Sequence, residues 1–184
     1  MNANVLFAPK SAALFERAKK VMPSGYTRHM AVAKPHPIYA TEADGCWITD
    51  AEGIKRIDYV NNFSALIHGH NKKEIVEAIA KQAGSLKSSI LPSESEIKLA
   101  ELITERIPSC EEVRFTNSGT EAVMIAIKAG RAYTGKSKIA KMEGGYHGSY
   151  EMAEVSLVPM PKERGDLNEP YSLPVDKSFP NSVL

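Results

Sequence analysis

Cysteine, tryptophan and excess charge of either sign are all scarce in this sequence. Its 184 residues include two cysteines and one tryptophan, and 23 Lys and Arg nearly balance 22 Asp and Glu. The two thiols, Cys46 and Cys110, are too few for a metal cluster and favour reduced structural cysteines in a cytosolic protein. The net charge of +1 gives no reason to expect nucleic acid or an acidic membrane as a partner.

Long apolar runs are missing as well. The longest are far too short to span a bilayer. The first ten residues lack the charged stretch and apolar core that mark a secretory signal. What is present, 43% hydrophobic and 24% charged residues, is typical of a soluble globular protein with room for one ordinary domain. We therefore expect a cytoplasmic protein without a membrane segment.

The first third of the chain predicts a helix followed by a small antiparallel meander. Ser11 is placed to cap the helix, and Pro23–Gly25 to end it. The meander is expected over residues 38–59, because turn signals at residues 44–45 and 50–53 separate its short strands.

Two helices follow, and each carries a capping box, in which two side chains satisfy orphan backbone donors. Asn71 pairs with Glu74 in the first helix, and Ser93 pairs with Glu96 in the second. Pro108 closes the second helix.

From residue 113 the order is strand, helix, strand, which predicts a parallel βαβ unit. The strands are expected at residues 113–117 and 137–143, with the helix at residues 119–133. Beyond residue 155, prolines punctuate a stretch without periodicity, which predicts a surface loop or a frayed end. So few parallel strands would leave a sheet edge uncovered, so the α/β fold looks unfinished.

The first candidate site is the Ser-Gly-Thr sequence between the first of these strands and its helix. The first amides of a helix lack internal acceptors and lie at the positive end of the dipole. Gly119 lets a phosphate approach the backbone, and Ser118 and Thr120 add hydroxyl donors. An ordinary helix cap is the alternative. The motif lacks the glycine pattern of a dinucleotide site and the ending of a Walker A loop.

The second candidate site follows the next strand, where glycines flank an aromatic pair. Tyr146 and His147 lie on this turn, and a ring exposed there could stack on a flat cofactor. A buried structural Tyr-His pair is the alternative. Both candidates follow successive strands of one βαβ unit, so together they suit a planar ring that carries a phosphate, as pyridoxal phosphate does.

Taken together, the two motifs resemble the class III aminotransferase pattern. They read Phe-Thr-Asn-Ser-Gly-Thr-Glu-Ala at residues 115–122 and Glu-Gly-Gly-Tyr-His-Gly at residues 143–148. Pro23–Gly25 with Arg28 resembles the segment through which substrate enters. The resemblance covers roughly residues 21–158 and is nearest to glutamate-1-semialdehyde aminomutase-like enzymes and β-amino acid aminotransferases.

The resemblance implies a homodimer with the pyridoxal-phosphate-dependent transferase fold type I, present here in part. Residues 1–65 would form an N-terminal helix and meander segment, and residues 66–158 the first part of the cofactor-binding large domain. Residues 159–184 would form the Pro-rich loop or frayed end.

The resemblance also implies pyridoxal 5'-phosphate as the cofactor and assigns roles in holding it. Ser118, Gly119 and Thr120 would bind its phosphate, Tyr146 would stack on its ring, and His147 would lie beside the ring. Substrates would be amino acids and keto acids.

The catalytic groups of amino transfer are expected elsewhere. The reaction needs a lysine that forms a Schiff base and an acid that keeps the pyridine nitrogen protonated. In the family both residues lie well beyond the Tyr-His-Gly motif, and no lysine of this chain matches the family's lysine position. Lys141 lies within a predicted strand. We assign no catalytic residue and expect this chain by itself to be inactive.

Two smaller candidates remain. His68 and His70 could supply two metal ligands, but a third with suitable spacing is missing, so turn histidines are favoured. Arg28 could bind a substrate carboxylate through its planar guanidinium, and a solvated surface arginine is the alternative.

Three classes of function follow. The first is part of an aminotransferase for carboxylate-bearing amino acids, with glutamate-1-semialdehyde 2,1-aminomutase, which transfers the amino group within one molecule, as its alternative. The second is a truncated, inactive fragment that acts only in binding or association. The third, an unrelated phosphate-binding α/β domain, is disfavoured by the paired motifs.

Overall fold

A small sheet and several helices form the regular structure of the computed structural model, which describes residues 8–27, 33–86 and 89–179. The chain divides into two compact units, Met1–Leu91 and Pro92–Leu184. None of the helices in the described part is long and apolar enough to cross a bilayer. The helices are α1 (Pro9–Lys19), α2 (Lys73–Ser85), α3 (Glu94–Arg106), α4 (Gly119–Thr134) and the short α5 (Glu151–Glu154).

The sheet of the first unit is the antiparallel meander that the turn signals predict. Its strands are β1 (Ala40–Asp44), β2 (Trp47–Asp50) and β3 (Lys55–Ile57), in the order β1-β2-β3. Both neighbouring pairs are antiparallel. The prediction of a meander within residues 38–59 is therefore confirmed.

Helix α1 is held to the meander by a buried serine. The prediction that Ser11 caps this helix is wrong: the cap position is Ala8, and Pro9 opens the helix, where a proline loses no hydrogen bond. Ser11 instead lies inside the helix with 0% of its surface exposed. Its backbone N–H and its hydroxyl donate to the two carboxylate oxygens of Glu52, at 2.8 and 2.9 Å.

The turn between β2 and β3 is organised by Asp50, which is 1% exposed. Its carboxylate accepts from the backbone N–H groups of Glu52 and Ile54 and from Nε of Arg56. Arg56 Nη2 is also 2.8 Å from Oδ2, but it forms no hydrogen bond, so this contact is an ion pair. Burial alone would raise the pKa of Asp50, yet these donors outweigh it and hold the pKa below its usual value.

A left-handed turn follows β3. The four residues Asn61–Ser64 all have positive φ, between 49° and 62°, a conformation that costs side-chain-bearing residues energy. Asp58 accepts from the N–H groups of Val60 and Asn61 and lies 2.8 Å from Nε2 of His70. Its pKa is lowered by the Asn61 N–H and then by the His70 imidazole. The carboxylate therefore fixes the start of this strained segment and links it to His70.

The prediction of the first capping box is wrong, and the prediction of the second is confirmed. Helix α2 begins at Lys73 after a cap at Lys72. Asn71 instead adopts a φ of 52° and donates its side-chain amide to the carbonyl of Ala43. In α3 the box of Ser93 with Glu96 is present, and within the described part of the chain neither side chain bonds to a distant residue.

The second unit contains the predicted helix but not the predicted strands. Helix α4 confirms the helix expected at residues 119–133. Residues 113–117 and 137–143 contain no strand, so the expected parallel βαβ unit is absent from the described residues. A strand exists only through hydrogen bonds to a neighbour, and in the described part of the chain these two segments do not meet one.

We expect Asp50→Asn to destabilise the first unit by about 2–3 kcal/mol at pH 7, since it weakens several charge-assisted hydrogen bonds. The pKa values of Asp50, Glu52 and Asp58 are lowered in the folded protein. The stability that these carboxylates contribute is therefore fully present above the carboxyl pKa of the unfolded chain, about 4. It is lost as the pH falls through the folded values.

Urea unfolding at pH 7 and pH 3 checks this prediction, with the exposed Asp44→Asn as the control. The difference between wild type and Asp50→Asn should shrink at pH 3. A difference that is the same at both pH values would contradict it.

Candidate functional site: a helix N-terminus joined to an aromatic turn

The start of α4 presents a set of hydrogen-bond donors. Ser118 occupies the cap position, and its Oγ accepts from the N–H of Glu121 at 3.2 Å. The N–H groups of Gly119 and Thr120 have no acceptor within the described part of the chain, as expected for the first residues of a helix. Among the described residues the Ser118 hydroxyl proton also has no acceptor, so it is available for donation. This end of α4 can therefore bind an anion.

A carboxylate also lies close to this helix start. Glu121 belongs to the first turn of α4, and its Oε2 accepts from the N–H of Asn117 at 2.7 Å. The hydroxyl of Thr116 donates to the carbonyl of Ser118 at 3.0 Å. These bonds fix the loop that leads into α4, and they leave the Gly119 and Thr120 amides as the donors for an anion.

The aromatic turn packs directly on the start of α4. Gly148 is buried, has a φ of 98°, and lies so close to Thr120 that an added Cβ would be 2.6 Å from its Oγ1 and 2.7 Å from its Cα. The next residue, Ser149, donates its N–H to Thr120 Oγ1 at 3.1 Å. The two predicted motifs, about thirty residues apart in sequence, are therefore in contact.

The two ring residues of the turn are exposed. Tyr146 is 64% exposed, and its hydroxyl lies 3.3 Å from Oγ of Ser149. His147 is exposed as well, and its Nε2 lies 2.9 Å from where a Cβ of Gly145 would stand. The alternative of a buried structural Tyr-His pair is wrong, because both side chains face solvent.

The first residues of the turn are held by one backbone hydrogen bond and one ion pair. Gly144 donates its N–H to the carbonyl of Ser156 at 2.9 Å. Glu143 forms an ion pair with Arg164 at 2.9 Å. The aromatic turn is thus joined to the segment after α5, while its two rings stay exposed.

The predicted site residues are largely exposed, with Thr120 half-buried. A cavity of about 700 Å³ in the second unit is lined by Arg131, Lys141 and Tyr171 among others, and one of about 410 Å³ lies against the meander. Neither is lined by Ser118, Thr120 or Tyr146. We therefore take the exposed junction of α4 and the aromatic turn as the candidate site, because the hydrogen-bond donors lie there.

The remaining candidates do not join this site. Arg28 lies outside the described residues. Lys141 donates its amine to the carbonyl of Met142 at 3.0 Å. His70 is paired with Asp58, and no group of three potential metal ligands occurs among the residues described.

Sequence reasoning missed Gly148 and Ser149 as the residues that join the two motifs. The signal was present, because both directly follow the predicted aromatic pair. What the sequence did not reveal was the packing of Gly148 against Thr120.

Comparison with known proteins gives this site a context. The sequence model of the family described as aminotransferase class-III matches residues 29–165. A glutamate-1-semialdehyde 2,1-aminomutase of Methanothermobacter thermautotrophicus is 44% identical over 142 residues, which are 77% of this chain and 34% of that protein.

Solved structures of transaminases are similar to this chain as well. An omega-transaminase from Sphaerobacter thermophilus is 50% identical, with a TM-score of 0.90 over 94% of this chain and 39% of its own. A transaminase with PLP bound is 43% identical, with a TM-score of 0.86 over 96% of this chain and 40% of its own. This chain thus spans about two fifths of the length of these two proteins.

The architecture is therefore that of the N-terminal part of a pyridoxal-phosphate-dependent transferase of fold type I. The chain belongs to the class-III aminotransferase family. This result confirms the resemblance and excludes an unrelated phosphate-binding domain.

We expect Gly148→Ala to separate the two motifs. The new Cβ would overlap the backbone and side chain of Thr120, and the φ of 98° disfavours alanine. The variant should lose about 1–3 kcal/mol of stability in the second unit, measured by urea unfolding.

Gly130→Ala is the matched control. Gly130 lies within α4 with open space around its Cβ position, so alanine there should stabilise the helix by up to about 1 kcal/mol. If both substitutions changed stability by the same amount and in the same direction, the contact of Gly148 with Thr120 would have no special role.

Proposed function

We propose that this chain is the N-terminal part of a pyridoxal-phosphate-dependent aminotransferase that acts on a carboxylate-bearing amino acid. The observation that carries the proposal is the contact of the anion-binding start of α4 with an exposed aromatic turn, through Gly148 and Thr120. The donors of Ser118, Gly119 and Thr120 at the start of α4 are called the phosphate seat below. A phosphate seat in contact with an aromatic turn suits a ligand that is both flat and phosphorylated. Membership of the class-III aminotransferase family supports the same conclusion.

The donors present fit the cofactor's phosphate. The backbone N–H groups of Gly119 and Thr120 and the hydroxyls of Ser118 and Thr120 would hold it, aided by the positive end of the α4 dipole. The Tyr146 ring would cover one face of the pyridine ring, with His147 beside it. When bound, the cofactor supplies the electron sink for amino transfer.

This chain's own contribution is to bind and orient. The seat fixes the position of the phosphate, and the aromatic turn fixes the plane of the ring, since stacking restricts the ring to one orientation. Amino transfer also needs a lysine and an acid. We propose that both correspond to the part of the longer relatives that this chain does not cover.

Exposed apolar surface supports a larger assembly. Large side chains on α2 and α3, such as Ile79 and Ile97, are more than half exposed, and the fully buried apolar residues of the described chain are small alanines. Such surface is typical of an interface. We propose that it is covered by the rest of a cytoplasmic, homodimeric enzyme.

A second candidate function is glutamate-1-semialdehyde 2,1-aminomutase. The observation in its favour is the 44% identity to the archaeal aminomutase. The 50% identity to an omega-transaminase favours transfer between two molecules instead, so we retain aminotransferase as the first candidate. Supplying glutamate-1-semialdehyde without an amino acceptor separates the two, because only an aminomutase converts it fully.

We expect Ser118→Ala combined with Thr120→Ala to weaken pyridoxal 5'-phosphate binding in the enzyme that contains this chain. Charge-assisted hydrogen bonds contribute about 1.5–3 kcal/mol each, so the dissociation constant should rise by at least about tenfold. Pyridoxal, which lacks the phosphate, should bind both proteins equally. Thr134→Ala, at the other end of α4, is the control. Unchanged affinity for the phosphorylated cofactor would place the phosphate elsewhere.

We further expect Arg28 to bind the substrate carboxylate, as the family resemblance implies. Arg28→Ala should raise the KM for amino acid donors much more than for amines without a carboxylate, since a bidentate ion pair is lost. Arg28→Lys should recover only part of the effect, because an ammonium cannot form the planar fork. Equal losses for both kinds of donor would indicate a structural role.

A further inference from the structure

One serine contacts both halves of the candidate site. The N–H of Ser149 donates to Oγ1 of Thr120 at 3.1 Å, and its Oγ lies 3.3 Å from the hydroxyl of Tyr146. The backbone of Ser149 thus contacts the phosphate seat, and its side chain contacts the aromatic residue.

The backbone contact sets the role of the Thr120 hydroxyl. A threonine hydroxyl has one proton to donate and two lone pairs that accept. Because the Ser149 N–H takes one lone pair, the oxygen is held in place while its proton stays available. Ser149 thereby holds Thr120 as a donor towards an anion at the start of α4.

The side-chain contact restrains the exposed ring. Tyr146 is 64% exposed, so packing alone leaves its ring several orientations. The Ser149 hydroxyl is the polar partner that its phenol meets. Gly148, which lies between these two residues in sequence, packs directly against Thr120, so the restrained ring belongs to a turn that contacts the start of α4.

We propose that Ser149 is a positioning residue of the cofactor site, which aligns the Tyr146 ring with the phosphate seat. The proposal rests on the proposed function, because it assumes that a phosphorylated ring occupies the junction. It predicts that the side chain of Ser149 governs the contact with the ring, whereas its backbone governs the contact with the phosphate.

The test is a double-mutant cycle of Ser149→Ala and Tyr146→Phe in the enzyme that contains this chain. Each single change removes one hydroxyl of the pair, so pyridoxal 5'-phosphate should bind about 2- to 10-fold more weakly. The double variant should be no weaker than the weaker single variant, because both changes break the same contact. Ser149→Thr, which keeps the hydroxyl, should bind like wild type.

Inorganic phosphate provides the internal control. Ser149→Ala keeps its N–H, so phosphate should compete with the cofactor at an unchanged inhibition constant. The circular dichroism that bound cofactor acquires should decrease at saturation, since the ring is held less firmly. Ser172→Ala, an exposed serine whose hydroxyl bonds to neither motif among the described residues, should change none of these readouts.

Two results separate this proposal from the proposed function. If the fold-losses of cofactor affinity in the two single variants multiplied in the double variant, the role of Ser149 would be overturned. Wild-type affinity of Ser149→Ala would overturn it as well. Either result would leave the phosphate seat intact. If Ser118→Ala with Thr120→Ala also left cofactor binding unchanged, both proposals would be overturned. Should Ser149→Ala unfold, Tyr146→Phe removes the same contact from the other side, and its wild-type binding would equally refute the proposal.

Discussion

The close approach of Gly148 to Thr120 is the constraint on which the candidate site depends. It brings an aromatic turn onto the start of α4 at a distance that only glycine permits. The Ser149 N–H then reaches the Thr120 hydroxyl, and the Ser149 hydroxyl lies 3.3 Å from the phenol of the exposed Tyr146. Each motif alone is an ordinary cap or an ordinary turn, whereas in contact they form the surface that we propose binds a phosphorylated aromatic ligand.

The first unit is stabilised by a different kind of interaction, namely carboxylates that accept backbone and side-chain donors. Asp50 organises the turn of the meander, Glu52 holds α1 through Ser11, and Asp58 anchors the left-handed turn. Because the fully buried apolar residues in the described part of this unit are alanines, these polar contacts contribute much of its order. Their lowered pKa values make this definition depend on the carboxylates being ionised.

Local signals in the sequence were sufficient where structure is local. Helix α4, the meander and the Ser93 capping box all depend on residues within a few positions of one another, and all were predicted. Ser11 and Asn71 were misread because distant partners, Glu52 and Ala43, outweigh their capping tendencies. The strands at residues 113–117 and 137–143 were predicted from pattern, but pairing needs a neighbour that the described residues do not provide. The contact of Gly148 with Thr120 links residues far apart in sequence, so only the folded chain reveals it.

The most direct test of the account is a titration of isotopically labelled protein with pyridoxal 5'-phosphate, followed by nuclear magnetic resonance. If the start of α4 and the aromatic turn form one site, the backbone N–H signals of Gly119 and Thr120 and the ring signals of Tyr146 should shift together, with a single dissociation constant. Pyridoxal should shift the Tyr146 ring much more than the two amides. Shifts confined to other residues, or separate dissociation constants for the amides and the ring, would contradict the account.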